Sequence, residues 1–178
     1  MMKPMKAYSI PFIGLKIGNH DFEYDIDQSF FDYFEYQDFN DVNVKVDVLL
    51  NKKETLLELH FKIDGYVTVN CDVTNEPYNQ AIADTFNLVV KFGQAYNDEN
   101  IDILIIPHGE HEINIQQYIY ELIILAVPAK RLHPGIADGT LNSDILNKLD
   151  ELSPKEDNNN KKDTDPRWDT LKKLLTDK

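Results

Sequence analysis

Val42-Asn43-Val44-Lys45-Val46-Asp47-Val48 places a valine at every second position with a polar residue between each pair. Successive side chains of a strand point to opposite faces, so this spacing describes a strand with one buried and one solvated face. The same period extends outward. Leu57, Leu59, Phe61 and Ile63 alternate with Glu58, His60 and Lys62, beyond the polar turn Asn51-Lys52-Lys53-Glu54. Asp64-Gly65 then supplies residues that suit a tight hairpin, since glycine tolerates positive φ. Val67, Val69, Cys71 and Val73 alternate with Thr68, Asn70 and Asp72 until Asn75-Glu76-Pro77 breaks the run, and Phe86, Leu88, Val90 and Phe92 form another. Residues 42–92 are therefore expected to be an antiparallel meander.

The flanks add helices. The largely apolar run 101–106, ended by Pro107, predicts one more strand, and residues 20–26 fit a strand of the same sheet. Phe30, Phe31, Tyr33 and Phe34 fit a short aromatic helix after Asp27 or an extended edge, the helix being preferred. Asn114 can cap a helix over 115–127. Its stripe of Ile115, Tyr118, Ile119, Leu122, Ile123 and Ala126 is widened almost all round by Ile124, Leu125 and Val127, and Pro128 ends it. The run is too short to span a bilayer, so a central core helix is expected. Glu121 lies inside that apolar surface and calls for a partner such as Arg131. Residues 143–152 form a modest amphipathic helix. The predicted fold class is α+β: an antiparallel meander of five or more strands, a core helix packed on one face, and a C-terminal helical tail.

Three segments follow. Residues 1–152 read as a single domain. A flexible linker spans 153–164, where the chain is rich in Lys, Asp and Asn. An amphipathic helix spans 165–178, with Asp165 at N-cap and Pro166 at N1. Its apolar face carries Trp168, Leu171, Leu174 and Leu175, which could dock on the protein's own sheet or in a partner's groove.

Charge divides the chain unevenly. Residues 1–129 hold 8 Lys/Arg and 21 Asp/Glu, and 130–178 hold 10 of each, so the first part carries the whole net charge of −13. Affinity for nucleic acid comes largely from basic residues on phosphates, so the folded part should repel it. A basic protein suits this body better, and any RNA contact is sought near Lys130-Arg131 or in the tail. The N-terminal residues Met1 to Lys6 contain no apolar run of secretory length, so no export is expected. Cys71 is the only cysteine and cannot form an intramolecular disulfide, which fits a cytoplasmic address.

Chemistry finds little to stand on. His108-Gly109-Glu110-His111-Glu112 could hold a divalent metal, as in a metal hydrolase, but Pro107 and Gly109 favour a solvated turn over the helix that a His-Glu-x-x-His site needs. Cys71 falls on the inward set of a strand, with nothing nearby in sequence to lower its pKa, and reads as a buried structural thiol. Asp25 and Asp27 read as a solvated acidic edge rather than a catalytic pair. No enzyme is expected. The aromatic residues from Phe30 to Phe39 suggest one other function, a β-sheet carrier of an apolar small molecule.

Three blocks resemble a known family. Residues 65–77, Gly-Tyr-Val-Thr-Val-Asn-Cys-Asp-Val-Thr-Asn-Glu-Pro, are similar to the central motif of the YceD family (DUF177), with Gly65, Cys71 and Pro77 in place. Residues 113–128 resemble its second block, including Glu121 and the terminal Pro128, and Asp165-Pro166-Arg167-Trp168 with Leu171 resembles its C-terminal signature. Residues 15–53 resemble versions found in Bacteroidetes-type bacteria. The resemblance implies a non-enzymatic bacterial factor for accumulation of 23S ribosomal RNA and large-subunit assembly. It also implies large-subunit rRNA or a basic ribosomal protein as partner, and no cofactor or membrane. Members often carry two cysteine pairs suited to tetrahedral zinc. Here the first pair reads Cys71-Asp72-Val73-Thr74 and 131–140 has no cysteine, so no metal is carried over and the second segment is expected to be loose, held by packing alone.

Overall fold

The computed structural model describes residues 5–141 and 144–153. A single 3-10 turn, Lys6–Tyr8, leads into β1 (Ser9–Pro11), β2 (Gly18–Asp27), α1 (Gln28–Tyr33), β3 (Asp41–Lys52), β4 (Leu56–Asn70) and β5 (Pro77–Gly93). Then follow β6 (Asn97–Asn100), β7 (Ile103–Pro107), β8 (Glu112–Asn114), α2 (Gln116–Ala126), α3 (Pro134–Ala137) and α4 (Asp144–Leu152). The chain divides into two units at 142/143. The first holds every element through α3. The second contributes α4, an amphipathic helix with Asp144 in its first turn, where a carboxylate favours the helix dipole. The expected linker from 154 onward and the helix over 165–178 lie outside the described residues.

The first unit is an α+β fold on a mostly antiparallel six-stranded sheet ordered β2-β3-β4-β5-β7-β6. The valine alternation becomes β3, which buries Val42, Val44, Val46, Val48 and Leu50 and turns Asn43, Lys45 and Asp47 to solvent. β4 buries Leu57, Leu59, Phe61 and Ile63 in the same way, and β5 buries Leu88 and Val90. Over this face α2 lays Ile119 and Ile123, both fully buried, and Tyr118 meets the rings of Phe61 and Phe86. The carboxamide oxygen of Asn114 accepts from Gln116 N at 3.2 Å, so α2 begins one residue later than expected. A two-stranded sheet, β1 with β8, ties the N-terminal segment to the start of α2.

Three expectations need correction. Asp64-Gly65 is not a hairpin. β4 runs straight through it, with Gly65 opposite Val44 on one side and Ile82 on the other. The glycine serves a close backbone approach: a Cβ there would overlap the Asn43 carbonyl oxygen and lie 2.7 Å from Val44 Cα. The sheet is also not a pure meander, because β7 inserts beside β5 in parallel, with β6 outside it. β6 is the wholly exposed Asn97-Asp98-Glu99-Asn100, which has no alternation by which a sequence could announce it. Finally, β4 ends at Asn70, so Cys71 does not continue a strand. Cys71 opens a turn in which its N–H donates to Glu76 O and its carbonyl accepts from Asn75, which takes φ 60°.

α1 settles the aromatic segment as helical. Asp27 caps it, accepting from Ser29 N at 3.0 Å, and the Ser29 side-chain bond is the largest of the influences that hold this carboxyl below its usual range. Asp27 is thus occupied as a cap. Phe30, Phe31 and Phe39 are buried, and Phe31 packs its ring against Phe30, Tyr36, Phe39 and Tyr120. These rings fill the space between them. The aromatic residues that suggested a small-molecule carrier pack on one another and line neither of the two cavities described below, although Gln37 and Asp38 of the same segment line the smaller one.

Candidate functional site

Two features stand out once the sheet is covered. The first is a clip between the turn after β4 and the segment after α2. Asp72 N donates to Arg131 O at 2.8 Å, and Asp72 Oδ2 accepts from Arg131 N at 2.7 Å. The Arg131 guanidinium adds an ion pair, Nε to Asp72 Oδ1 at 3.5 Å. Beneath it the Cys71 sulfur accepts from Val73 N at 3.5 Å and from His133 N at 3.4 Å. His133 in turn places its Nδ1 to accept from Gly135 N and its ring against Tyr78. Residues 131–135 are therefore fastened by hydrogen bonds, which corrects the expectation of packing alone.

The clip acts on the thiol. Burial pushes the Cys71 pKa up, but hydrogen bonds from the Thr74 side chain and from the backbone N–H groups of His133, Thr74 and Val73 outweigh it and bring it down to about 7. Thr74 is a near neighbour in sequence, whereas His133 arrives only through the fold. A polar cavity of about 340 Å³ opens beside the clip, lined by Asn40, Asn70, Asp72 and Arg131 among others.

The second feature is a groove of about 650 Å³ between α2, the β6–β7 edge and β8. One stripe of α2 forms its wall: Tyr118, Glu121, Leu122 and Leu125 fall at i, i+3, i+4 and i+7, the spacing that places residues on one helix face. Phe86, Leu104 and Ile106 line it from the sheet, and Ile101 and Tyr96 stand at the edge. Its apolar surface is incompletely covered, with Leu125 78% exposed and Ile101 80% exposed. Among the described residues the charged side chains that line the groove all carry the same sign: Asp98, Glu99, Glu110, Glu112 and Glu121, with no Lys, Arg or His. Their field is visible on Tyr118, whose hydroxyl is pushed well above its usual pKa by burial and then by Tyr96, Asp98 and Glu121.

The residues singled out from sequence divide between these places. Glu121 is not inside the apolar surface. It is exposed on the groove and accepts from Gln117 Nε2 at 2.7 Å, while Arg131, the partner suggested for it, pairs with Asp72. Cys71 and Arg131 meet in the clip. Gly65 sits mid-strand, and Pro77 opens β5, a position where a missing N–H costs little. Pro128 and Lys130 are exposed beyond α2. His108 and His111 lie on an exposed turn between β7 and β8, where His108 stacks on Phe92. Among the described residues no group of three or more His, Cys, Asp or Glu side chains is placed to hold a metal ion. Asp165, Pro166, Arg167, Trp168 and Leu171 lie outside the described residues.

The groove itself was missed. Its one sequence signal is the apolar surface of α2, which runs too nearly all round for one sheet to cover. The four carboxylates from 98 to 112 give no pattern until β6, β7 and β8 are in place.

Comparison with known proteins adds a family. Residues 59–175 match the family described as large ribosomal RNA subunit accumulation protein YceD, which is well over half of the chain. The chain belongs to this family. The match begins in β4, at the strand that leads into Cys71, and takes in both walls of the groove and both halves of the clip. No curated protein and no solved structure matches the chain. Among the described residues no helix is long and apolar enough to cross a membrane.

Proposed function

We propose that the chain is a non-enzymatic, cytoplasmic ribosome-biogenesis factor that supports accumulation of 23S rRNA and assembly of the bacterial large subunit. Membership of the YceD family is the observation that carries this reading. Three of the side chains that sequence offered to catalysis have structural roles: Asp27 caps α1, Cys71 accepts backbone N–H groups, and His108 stacks on Phe92. The partner is a basic ribosomal protein more readily than bare rRNA, because residues 1–129 carry −13 and repel phosphate. Direct RNA contact, where it occurs, falls to Lys130 and to the segment holding Asp165, Pro166, Arg167, Trp168 and Leu171. Arg131 contributes less, being held by Asp72.

Deletion of the gene in its host should lower 23S relative to 16S rRNA and deplete the large-subunit peak in a sucrose gradient. Full-length protein supplied in trans should restore both. A normal subunit ratio in the deletion strain, at low temperature as well as high, would overturn the proposal.

A further inference from the structure

We propose that the groove between α2 and the β6–β7 edge seats an amphipathic helix of a protein partner, apolar on one face and rich in Lys and Arg on the other. The inference deepens the functional proposal by giving its basic partner a surface and a form. Three observations select that occupant. Leu125 of α2, with Ile101 and Tyr96 at the sheet edge, stands exposed around the already buried Leu122, Leu104 and Ile106, so the occupant must offer an apolar face. Among the described residues five carboxylates and no Lys, Arg or His line that apolar surface, so the occupant's flanks must be basic. The wall is α2, whose 11 residues at about 1.5 Å each make a seat of roughly 16 Å, the length of about three helical turns.

The same observations disfavour other ligands. A neutral apolar molecule would cover carboxylates without supplying a countercharge, which costs free energy that its own burial must offset. RNA would bring phosphates against Asp98, Glu99, Glu110, Glu112 and Glu121. Helix-in-groove recognition instead places anchors at i, i+3 and i+4 in the apolar floor and leaves the basic side chains to reach the rim.

The test uses the full-length protein and a fluorescently labelled 14-residue Leu/Lys helical peptide, followed by anisotropy at low and moderate salt. The Leu/Lys peptide should bind, and its Leu/Glu counterpart and a single-stranded RNA of similar length should not. Leu125→Asp, at a solvent-exposed position, should weaken binding about tenfold or more. The double reversal Glu112→Lys with Glu121→Lys should weaken it comparably and flatten its salt dependence. Asp64→Lys with Asp84→Lys, on the exposed positions of β4 and β5, changes the net charge equally and should leave binding within about twofold. Thermal melts matching the wild type show that each variant is folded, and Leu125→Asp carries the conclusion if the reversal does not fold.

Several outcomes would overturn the proposal: equal weakening by the Asp64 and Asp84 reversals, RNA competing for the site, or binding unaffected by Leu125→Asp. Tighter peptide binding in Trp168→Ala would do so too, by making the chain's own C-terminal segment the occupant. The functional proposal is tested separately by the rRNA ratio of the deletion strain. A groove variant that loses peptide binding yet restores 23S rRNA would sink this inference and leave that proposal standing.

Discussion

Tyr118 and Tyr120 are two residues apart on α2 and belong to opposite environments. Tyr120 stacks on Phe34 with ring centroids 4.2 Å apart and joins the aromatic cluster of Phe31 and Tyr36. Tyr118 lies over Phe61 and Phe86 at 6.3 and 6.1 Å and forms part of an open groove ringed by carboxylates. One side of the helix has found its complement within the chain. The other presents apolar surface beside negative charge that no Lys, Arg or His among the described lining residues offsets, an arrangement that a protein interior does not keep. The contrast separates the aromatic residues that build the fold from those available to a partner, although composition alone would rank the segment from Phe30 to Phe39 as the better ligand site.

The largest expected effect tests the closed side. Phe31 is fully buried and touches four other rings, so Phe31→Ala should cost about 3–5 kcal/mol in urea denaturation. A loss below about 1 kcal/mol would mean that the cluster is loosely packed, and the distinction between the two sides of α2 would fail.

A smaller effect tests the clip, whose contribution depends on protonation. The folded pKa of Cys71, about 7, lies below the ordinary thiol value of about 8.5. The folded state therefore favours the thiolate. The stability this supplies is fully present above about pH 8.5 and is lost as pH falls through about 7. Cys71→Ala should then destabilise by about 1–2 kcal/mol more at pH 9 than at pH 6, measured as the difference from wild type at each pH. A larger cost at pH 6 would show that the hydrogen bonds from Thr74, His133 and Val73 do not favour the thiolate. The same comparison leaves Phe31→Ala unchanged with pH, since the titratable groups on that ring, Tyr36 and Tyr120, have pKa values that burial raises above the ordinary tyrosine value and so stay protonated across this range.

What the sequence disclosed follows from where physical constraint is local. The alternation of β3 and β4 was readable because one face is buried along the whole strand, and α1 because Asp27 supplies a cap at the correct spacing. Gly65 misled because glycine serves tight turns and close backbone approaches equally well, and only the pairing with Asn43 and Val44 decides between them. β6 was invisible because an exposed edge strand needs no apolar residue. The clip joins Cys71 to a residue 62 positions away, and the groove draws its carboxylates from β6, β8, α2 and the turn before β8, so neither has a local signature. The family resemblance rests on blocks that hold one half of the clip, Cys71 and Asp72, and the α2 wall of the groove, whereas the other half, Arg131 and His133, lies just past Pro128.

The smallest expected effect is the sharpest test of the open side. Leu125 is 78% exposed, so replacing it removes little burial, and a polar residue on a solvated helix face is usually within about 0.5 kcal/mol of neutral. Leu125→Asp should therefore shift the melting temperature by no more than about 2–4 °C, the same substitution that is expected to abolish most peptide binding. A core position cannot behave this way, because its packing and its contacts are one set of interactions. Should Leu125→Asp instead destabilise by several kcal/mol, Leu125 would be covered within the folded chain, and α2 would have two closed sides. Near-neutral stability with lost binding is the signature of a residue kept apolar for something outside the chain.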